Sequence, residues 1–271
     1  MAAGNDGVYH GGLSGLAPWR RLLAYRGALW VLASRSLKLR YRRSLLGFAW
    51  TLAYPALATA VLSLVFAGLF KSIAHYPAYV VVGILAWHFF SVSCSQAMDA
   101  LLGGASVMRN VYVPTAVFPL AAVSANVANL VLCIAVLPLA LGVFGAGGGL
   151  RPLPLVLGLT SLIAFTAGVA LMLSALNLFF RDVRYFFEAL LLVWFYATPI
   201  VYPTAALPTG ARVLLALNPL TWILDALRAG LCEASYPDSA TLVVALLCGG
   251  GSLLVGWRLY ASVEDRFHLY W

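Results

Sequence analysis

Charge is scarce in this sequence: only 10% of its 271 residues are Asp, Glu, Lys or Arg, against 63% hydrophobic. Soluble domains carry about 25% charged and about 45–50% apolar residues. A globule of this length in water has nowhere to hide the excess, so lipid is the implied solvent. Disorder is excluded by the same figures, since it needs low hydrophobicity and high charge. Cysteine is sparse too. Cys94, Cys133, Cys232 and Cys248 form no C-x-x-C pair and sit in hydrophobic runs as small apolar residues, which leaves no disulfide frame or zinc motif. A phosphate-binding G-x-x-x-x-G-K-[ST] loop is missing, as are H-E-x-x-H and G-x-S-x-G. The chain is therefore not itself a P-loop ATPase. No repeat at solenoid spacing occurs. No cleavable leader is visible, because the first apolar run is too long for one.

What is present is a series of charge-free runs: Ser44–Phe70, Ser72–Met98, Asn110–Leu150, Pro152–Phe180, Ala189–Ala211 and Ser239–Trp257. A helix needs about 20 apolar residues to cross a hydrocarbon core of roughly 30 Å. The long third run is punctuated by Pro114 and Pro119 at its start and by Gly145–Gly149 at its end, so it reads as one span over about 119–144. Six spans result, with both termini on one side. Positive charge supports that count: 13 of the 17 Lys and Arg fall on the terminal side, which the positive-inside rule makes cytoplasmic. The expected fold is an all-α membrane protein of six transmembrane helices. Its parts are a disordered start (1–17), an amphipathic interface helix (18–43), a transmembrane domain (44–260) and a short cytoplasmic tail (261–271).

Residues 18–43 mix Arg20, Arg21, Arg26, Arg35, Lys38, Arg40, Arg42 and Arg43 with Trp19, Leu22, Leu29, Trp30 and Leu37. Leu22, Leu29, Ala33 and Leu37 fall near one helical face, which suits a helix lying in the interface. Its basic residues serve either as topology determinant and lipid anchor, or also as a receiver for an anionic headgroup; the pattern does not separate the two.

Between residues 194 and 231 the pattern breaks. Pro199, Pro203 and Pro208 interrupt any helix, and a 12-residue apolar piece, 213–224, carries Asn218 and Pro219. Twelve residues are too few to span, so this segment reads as re-entrant or interfacial, lining or closing a pathway from the outer side, or else as an ordinary outer loop with a surface helix. Aromatic residues cluster near it and in earlier spans: Trp50 and Tyr54 at i, i+4, then Trp87, Phe89 and Phe90, then Trp194, Phe195 and Tyr196, with Tyr202 beyond. Such rings give apolar contact plus a polar tip, as a track for sugar faces requires; belt or packing roles suit any single ring equally. No charge lies deep in the six spans, so ion coupling lacks its usual residues. Energy has to come from elsewhere. Two inner loops could receive a push: residues 99–113, a candidate helix across the membrane plane, and residues 179–188.

Several of these segments together resemble the permease subunits of type-2 ABC exporters for polysaccharides such as O-antigen, capsule and wall teichoic acid. The residues that carry the likeness run from Arg35-Ser36-Leu37-Lys38-Leu39-Arg40-Tyr41 through Ser44-Leu45-Leu46-Gly47, Trp50 and Pro55. They continue with Asn110 and Pro114, Asn177-Leu178-Phe179-Phe180-Arg181-Asp182-Val183, Pro199-Ile200-Val201-Tyr202-Pro203 and Asn218-Pro219-Leu220. The resemblance implies a homodimer in the bacterial inner membrane, joined to two copies of a P-loop ATPase that binds ATP and Mg; this chain itself would hold no cofactor, no metal and no nucleic acid. It implies ATPase coupling through Asp99, Leu101, Leu102, Met108, Arg109 and Asn110, with Arg181 and Asp182 nearby. It implies a path for a lipid-linked glycan along Trp50, Tyr54, Trp87, Phe89, Phe90, Trp194, Phe195, Tyr196 and Tyr202. The lipid pyrophosphate would enter at Arg35, Lys38, Arg40, Arg42 and Arg43. Pro199, Pro203, Asn218 and Pro219 would build the outer gate. Other readings stay open on the residues alone: a permease for a small amphiphile or drug, a membrane enzyme acting on lipid-linked sugars, and a structural scaffold.

Overall fold

A computed structural model describes residues 25–42, 47, 49–71, 73, 75–104, 107, 113–143, 150–232 and 236–269. Nine α-helices account for most of them: α1 (Arg26–Tyr41), α2 (Ala49–Phe66), α3 (Tyr76–Gly103), α4 (Val117–Val143), α5 (Pro152–Phe179), α6 (Asp182–Tyr196), α7 (Thr209–Ala216), α8 (Pro219–Leu231) and α9 (Ser239–Val263). Short 3₁₀ turns follow at Thr204–Ala206 and Glu264–Leu269. The described residues contain no strand.

Prolines start several helices where their missing N–H is harmless: Pro77 in the first turn of α3, Pro152 at the head of α5 and Pro219 at the head of α8. Pro55 and Pro138 lie inside α2 and α4, which membrane helices tolerate when neighbours re-satisfy the freed backbone. Gly47, between α1 and α2, has φ +48°, a left-handed conformation that strains any residue with a Cβ.

Helices α3 and α5 form the centre, with α4, α8 and α9 packed around them and α2 at the edge. Helix contact is made through small residues, as membrane packing requires where lipid competes with side chains. A Cβ on Gly168 of α5 would collide with the backbone of Ser252 on α9, and one on Gly256 of α9 with the backbone of Gly168. Gly230 plays the same part between α8 and α5, where a Cβ would lie 2.7 Å from the backbone of Leu155. Helices α2, α6 and α9 present Leu57, Leu64, Phe186, Leu192, Leu247 and Leu254 outward as apolar surface, which suits lipid.

Among the described residues, five helices are long and apolar enough to cross a membrane: α2, α3, α4, α5 and the α9 segment. A sixth crossing arises only if α7 and α8 count together, and these meet at a 90° bend. The expected fifth span, Ala189–Ala211, is therefore corrected. Helix α6 begins earlier, at Asp182, and stops at Tyr196 after 15 residues, about 22 Å. Pro199 ends it, because the residue before a proline is pushed out of the helical region. The apolar piece 213–224 is also corrected. It is not one helix: the chain breaks at Leu217 and Asn218, and Asn218 caps α8 by accepting from the Leu220 N–H at 3.1 Å.

Smaller boundaries move as well. Residues 99–103, assigned to a loop, are the last turn of α3, and only Phe180 and Arg181 separate α5 from α6. The arm is helical over Arg26–Tyr41, with Leu29, Ala33 and Leu37 packed on Ala121 and Ala125 of α4 as the face pattern implied. Trp30, Val31 and Leu39 point outward, so the helix is apolar on more than one side. The expected disordered start and Leu22 lie outside the described residues. The tail is not loose: its 3₁₀ turn buries Phe267 against Tyr260 and Phe179.

Candidate functional site

Three clusters hold nearly all the polar chemistry. The first lies where the end of α1 meets α2, α3 and α4. Arg40 leaves α1 and donates to Asn126 Oδ1 at 2.9 Å and Gln96 Oε1 at 2.7 Å; Asn126 Nδ2 donates to the same Gln96 oxygen at 3.0 Å. These partners are neutral amides, and among the described residues no carboxylate pairs with Arg40. Beside it opens a cavity of about 270 Å³, lined by Arg40, Trp50, His88, Phe89, Asn126 and Asn129. The Tyr54 ring packs on His88 with centroids 4.5 Å apart. An uncompensated cation, amide groups and aromatic walls together can take an anionic head joined to a polar ring system. The other expected basic residues lie elsewhere. Arg35, Lys38 and Arg42 border a shallow groove on the exposed side of α1, with Trp30 and Leu39. Arg43 lies outside the described residues.

At the opposite end, the break after α6 is held by hydrogen bonds. Trp194 Nε1 donates to Asn218 Oδ1 at 3.1 Å, and Asn218 Nδ2 donates to Ala197 O at 3.0 Å and Thr198 Oγ1 at 2.9 Å. Asn218 therefore ties α6, the break and α8 together, with Pro199 buried below and Pro219 starting α8. Four successive carbonyls freed by the break find donors. Tyr79 Oη donates to Pro199 O at 3.2 Å and Tyr202 O at 3.0 Å, Tyr76 Oη to Val201 O at 2.7 Å, and Arg228 Nη2 to Pro199 O at 2.7 Å and Ile200 O at 3.3 Å. Outside this knot, Trp194, Tyr202, Leu214 and Leu217 line an open apolar groove of about 580 Å³.

The charge count puts Arg228 outside the membrane, in the connection between the last two expected spans. Arg228 is instead 1% exposed. A signal was available: Leu220, Leu224, Leu227 and Leu231 mark the apolar face of α8, and Arg228 falls among them. Gln96 and Asn126 were missed because an amide inside an apolar run reads as a tolerated polar residue until a partner cation is located.

The third cluster joins helix ends on the α1 side. Arg184 pairs with Asp99 at 2.6 Å and with Glu188 at 3.2 Å, tying the end of α3 to the start of α6. Tyr260 Oη donates to Thr115 Oγ1 at 2.9 Å, and Thr115 Oγ1 donates to Glu264 Oε1 at 2.6 Å. Leu101 is fully buried beneath, whereas Leu102, Arg181 and Asp182 are exposed. Met108, Arg109 and Asn110 lie outside the described residues.

The expected aromatic path divides. Trp50 and Phe89 line the Arg40 cavity, and Tyr54 stacks on His88 in its wall. Trp87, Phe90, Trp194, Phe195 and Tyr196 form a separate ring cluster in which Phe90 meets Trp194 at 5.2 Å and Trp87 meets Phe195 at 5.5 Å. Phe90 is wholly buried there and packs helices.

Five apolar helices, a bent helix pair and polar clusters at both ends define a multi-pass membrane protein with the features of a transport subunit. Comparison with known proteins narrows the class. The model of the ABC-2 type transporter family matches residues 27–232. The O-antigen export system permease protein RfbA of Myxococcus xanthus is 34% identical over 91% of this chain and 95% of its own length. Two proteins of the same name from Klebsiella pneumoniae are 29% and 28% identical, each over 88% of this chain and 92% of their own length. The chain belongs to the ABC-2 type transporter family.

Proposed function

We propose that this chain is the membrane-spanning permease of an ABC exporter that carries a lipid-linked, O-antigen-like glycan across the bacterial inner membrane. Its likeness to three O-antigen export permeases over nearly their full length supports the substrate class. The single structural observation that carries the reading is the Arg40 cavity, where a cation with no carboxylate partner among the described residues faces aromatic walls between the start of α2 and the middle of α3. A pyrophosphate would engage the guanidinium and the first sugars would lie against Trp50 and Phe89. The α1 side is then cytoplasmic, in agreement with the charge distribution, and the α7–α8 pair is the outer re-entrant gate. Two copies of this chain would enclose a path that one bundle is too small to form.

Two copies of a separate ATPase would supply ATP hydrolysis. Docking falls to the α3–α4 connection, with Arg181 and Asp182 beside it. The Arg184–Asp99 pair and the Thr115–Tyr260–Glu264 chain join the helix ends that would move together.

The test is purification of a tagged chain in nanodiscs. A P-loop ATPase is expected to come with it in equal number, and hydrolysis is expected to rise when lipid-linked glycan is added. Absence of an ATPase in both detergent and nanodiscs would overturn the reading.

A further inference from the structure

Arg228 lies at the centre of the outer knot, yet its bonding is incomplete. Nη2 serves the carbonyls of Pro199 and Ile200, and Nε reaches Tyr79 O at 3.4 Å. The guanidinium carbon stands 3.5 Å from the Tyr79 ring centroid, a cation–π contact. Nη1 is buried without a hydrogen bond. Its nearest carboxylate, Asp225 Oδ1, is 3.7 Å away, just beyond hydrogen-bonding reach. Asp225 precedes it by three residues on α8 and keeps 43% of its side chain exposed. Gly83 makes room opposite: a Cβ there would sit 3.1 Å from Arg228 Nη2 and 3.2 Å from Ile200 O.

A buried cation of purely structural purpose would close on its carboxylate. This one places its best donor on the backbone of the break and leaves the carboxylate waiting. We infer that Arg228 and Asp225 are positioning residues for export: Arg228 holds segment 197–203 down on α3, and Asp225 takes over the guanidinium when the segment lifts. The inference rests on the gate reading above. When the segment leaves, two donors on Nη2 lose their acceptors at membrane depth, an expensive loss. A movement of about 1 Å toward Asp225 gives Nη1 a charge-assisted bond within the same helix, which offsets part of that loss. Each position then keeps part of the guanidinium bonded, Nη2 to the carbonyls in one and Nη1 to the carboxylate in the other, as a two-position gate requires.

The experiment uses the permease–ATPase complex in vesicles, loaded with the lipid-linked glycan that accumulates in cells lacking this chain. Asp225→Asn removes no hydrogen bond of the closed arrangement. Its melting midpoint and ATPase association are expected to match the unchanged protein, while export falls about tenfold. Asp225→Glu is expected to restore most of the export. Arg228→Lys, which can still reach a carbonyl and the Tyr79 ring, is expected to assemble with weaker export, and adding Asp225→Asn to it is expected to cause no further loss. Full export by Asp225→Asn, or a parallel fall in melting midpoint and export, would overturn the inference. Failure of the unchanged complex to export would instead overturn the transport reading beneath it.

Discussion

Two arginines, Arg40 and Arg228, are both held by neutral acceptors, and the rest of their surroundings differ. Arg40 is gripped by side-chain amides of α3 and α4 at the edge of a cavity, where a further ligand has room. Arg228 is gripped by main-chain carbonyls and an aromatic face with no space beside it. The first arrangement leaves charge available; the second uses charge to repair a broken helix. Residue type therefore says little about role in a membrane protein. The acceptors and the adjoining space decide.

Removing each arginine tests the contrast. Arg228→Met is expected to have the largest effect on stability, about 3–5 kcal/mol, because four carbonyls of the break depend on the arginine and its tyrosine partners. Thermal melting in nanodiscs checks it, and a midpoint shift under about 2 °C would mean the knot holds without the charge. Arg40→Gln is expected to leave melting nearly unchanged and to lower export about tenfold, since the amides at positions 96 and 126 can bond each other or water. A large stability loss there would make the two arginines alike. Asn218→Ala removes the α8 cap and the Trp194 contact and is expected to cost about 1–2 kcal/mol, read from the same melts. The smallest effect is expected from Arg184→Ala, whose ion pairs lie in solvent: no measurable change in melting, with any loss confined to ATPase-coupled export.

Much of the fold could be read from charge spacing alone. Helices α2, α4 and α5 fall inside charge-free runs, and α3 and α9 overrun theirs only at their ends, past Asp99 and Arg258, because lipid penalises each exception residue by residue along the chain. The fifth run misled for the same reason. Freedom from charge says that a segment is buried or lipid-facing, not that it is one straight helix, and this one leaves its helix at Tyr196, ahead of Pro199. The cavity was half legible. Arg40, Trp50 and Phe89 were named from their types and spacing, but Gln96, Asn126 and Asn129 acquire meaning only once α3 and α4 pack side by side. Arg228 was the reverse case, a charge between expected spans whose helix register announced burial.

The central claim is that the Arg40 cavity receives the anionic head of the lipid-linked substrate. It is tested most directly by photocrosslinking: a diazirine amino acid placed at Phe89, with polyprenyl-pyrophosphate glycan in nanodiscs containing the ATPase partner. Crosslinked glycolipid that disappears with excess unlabelled substrate and with Arg40→Gln is the expected result. Equal crosslinking in the Arg40→Gln protein, or none at Phe89 with strong crosslinking at Leu64 on the outward face of α2, would contradict it.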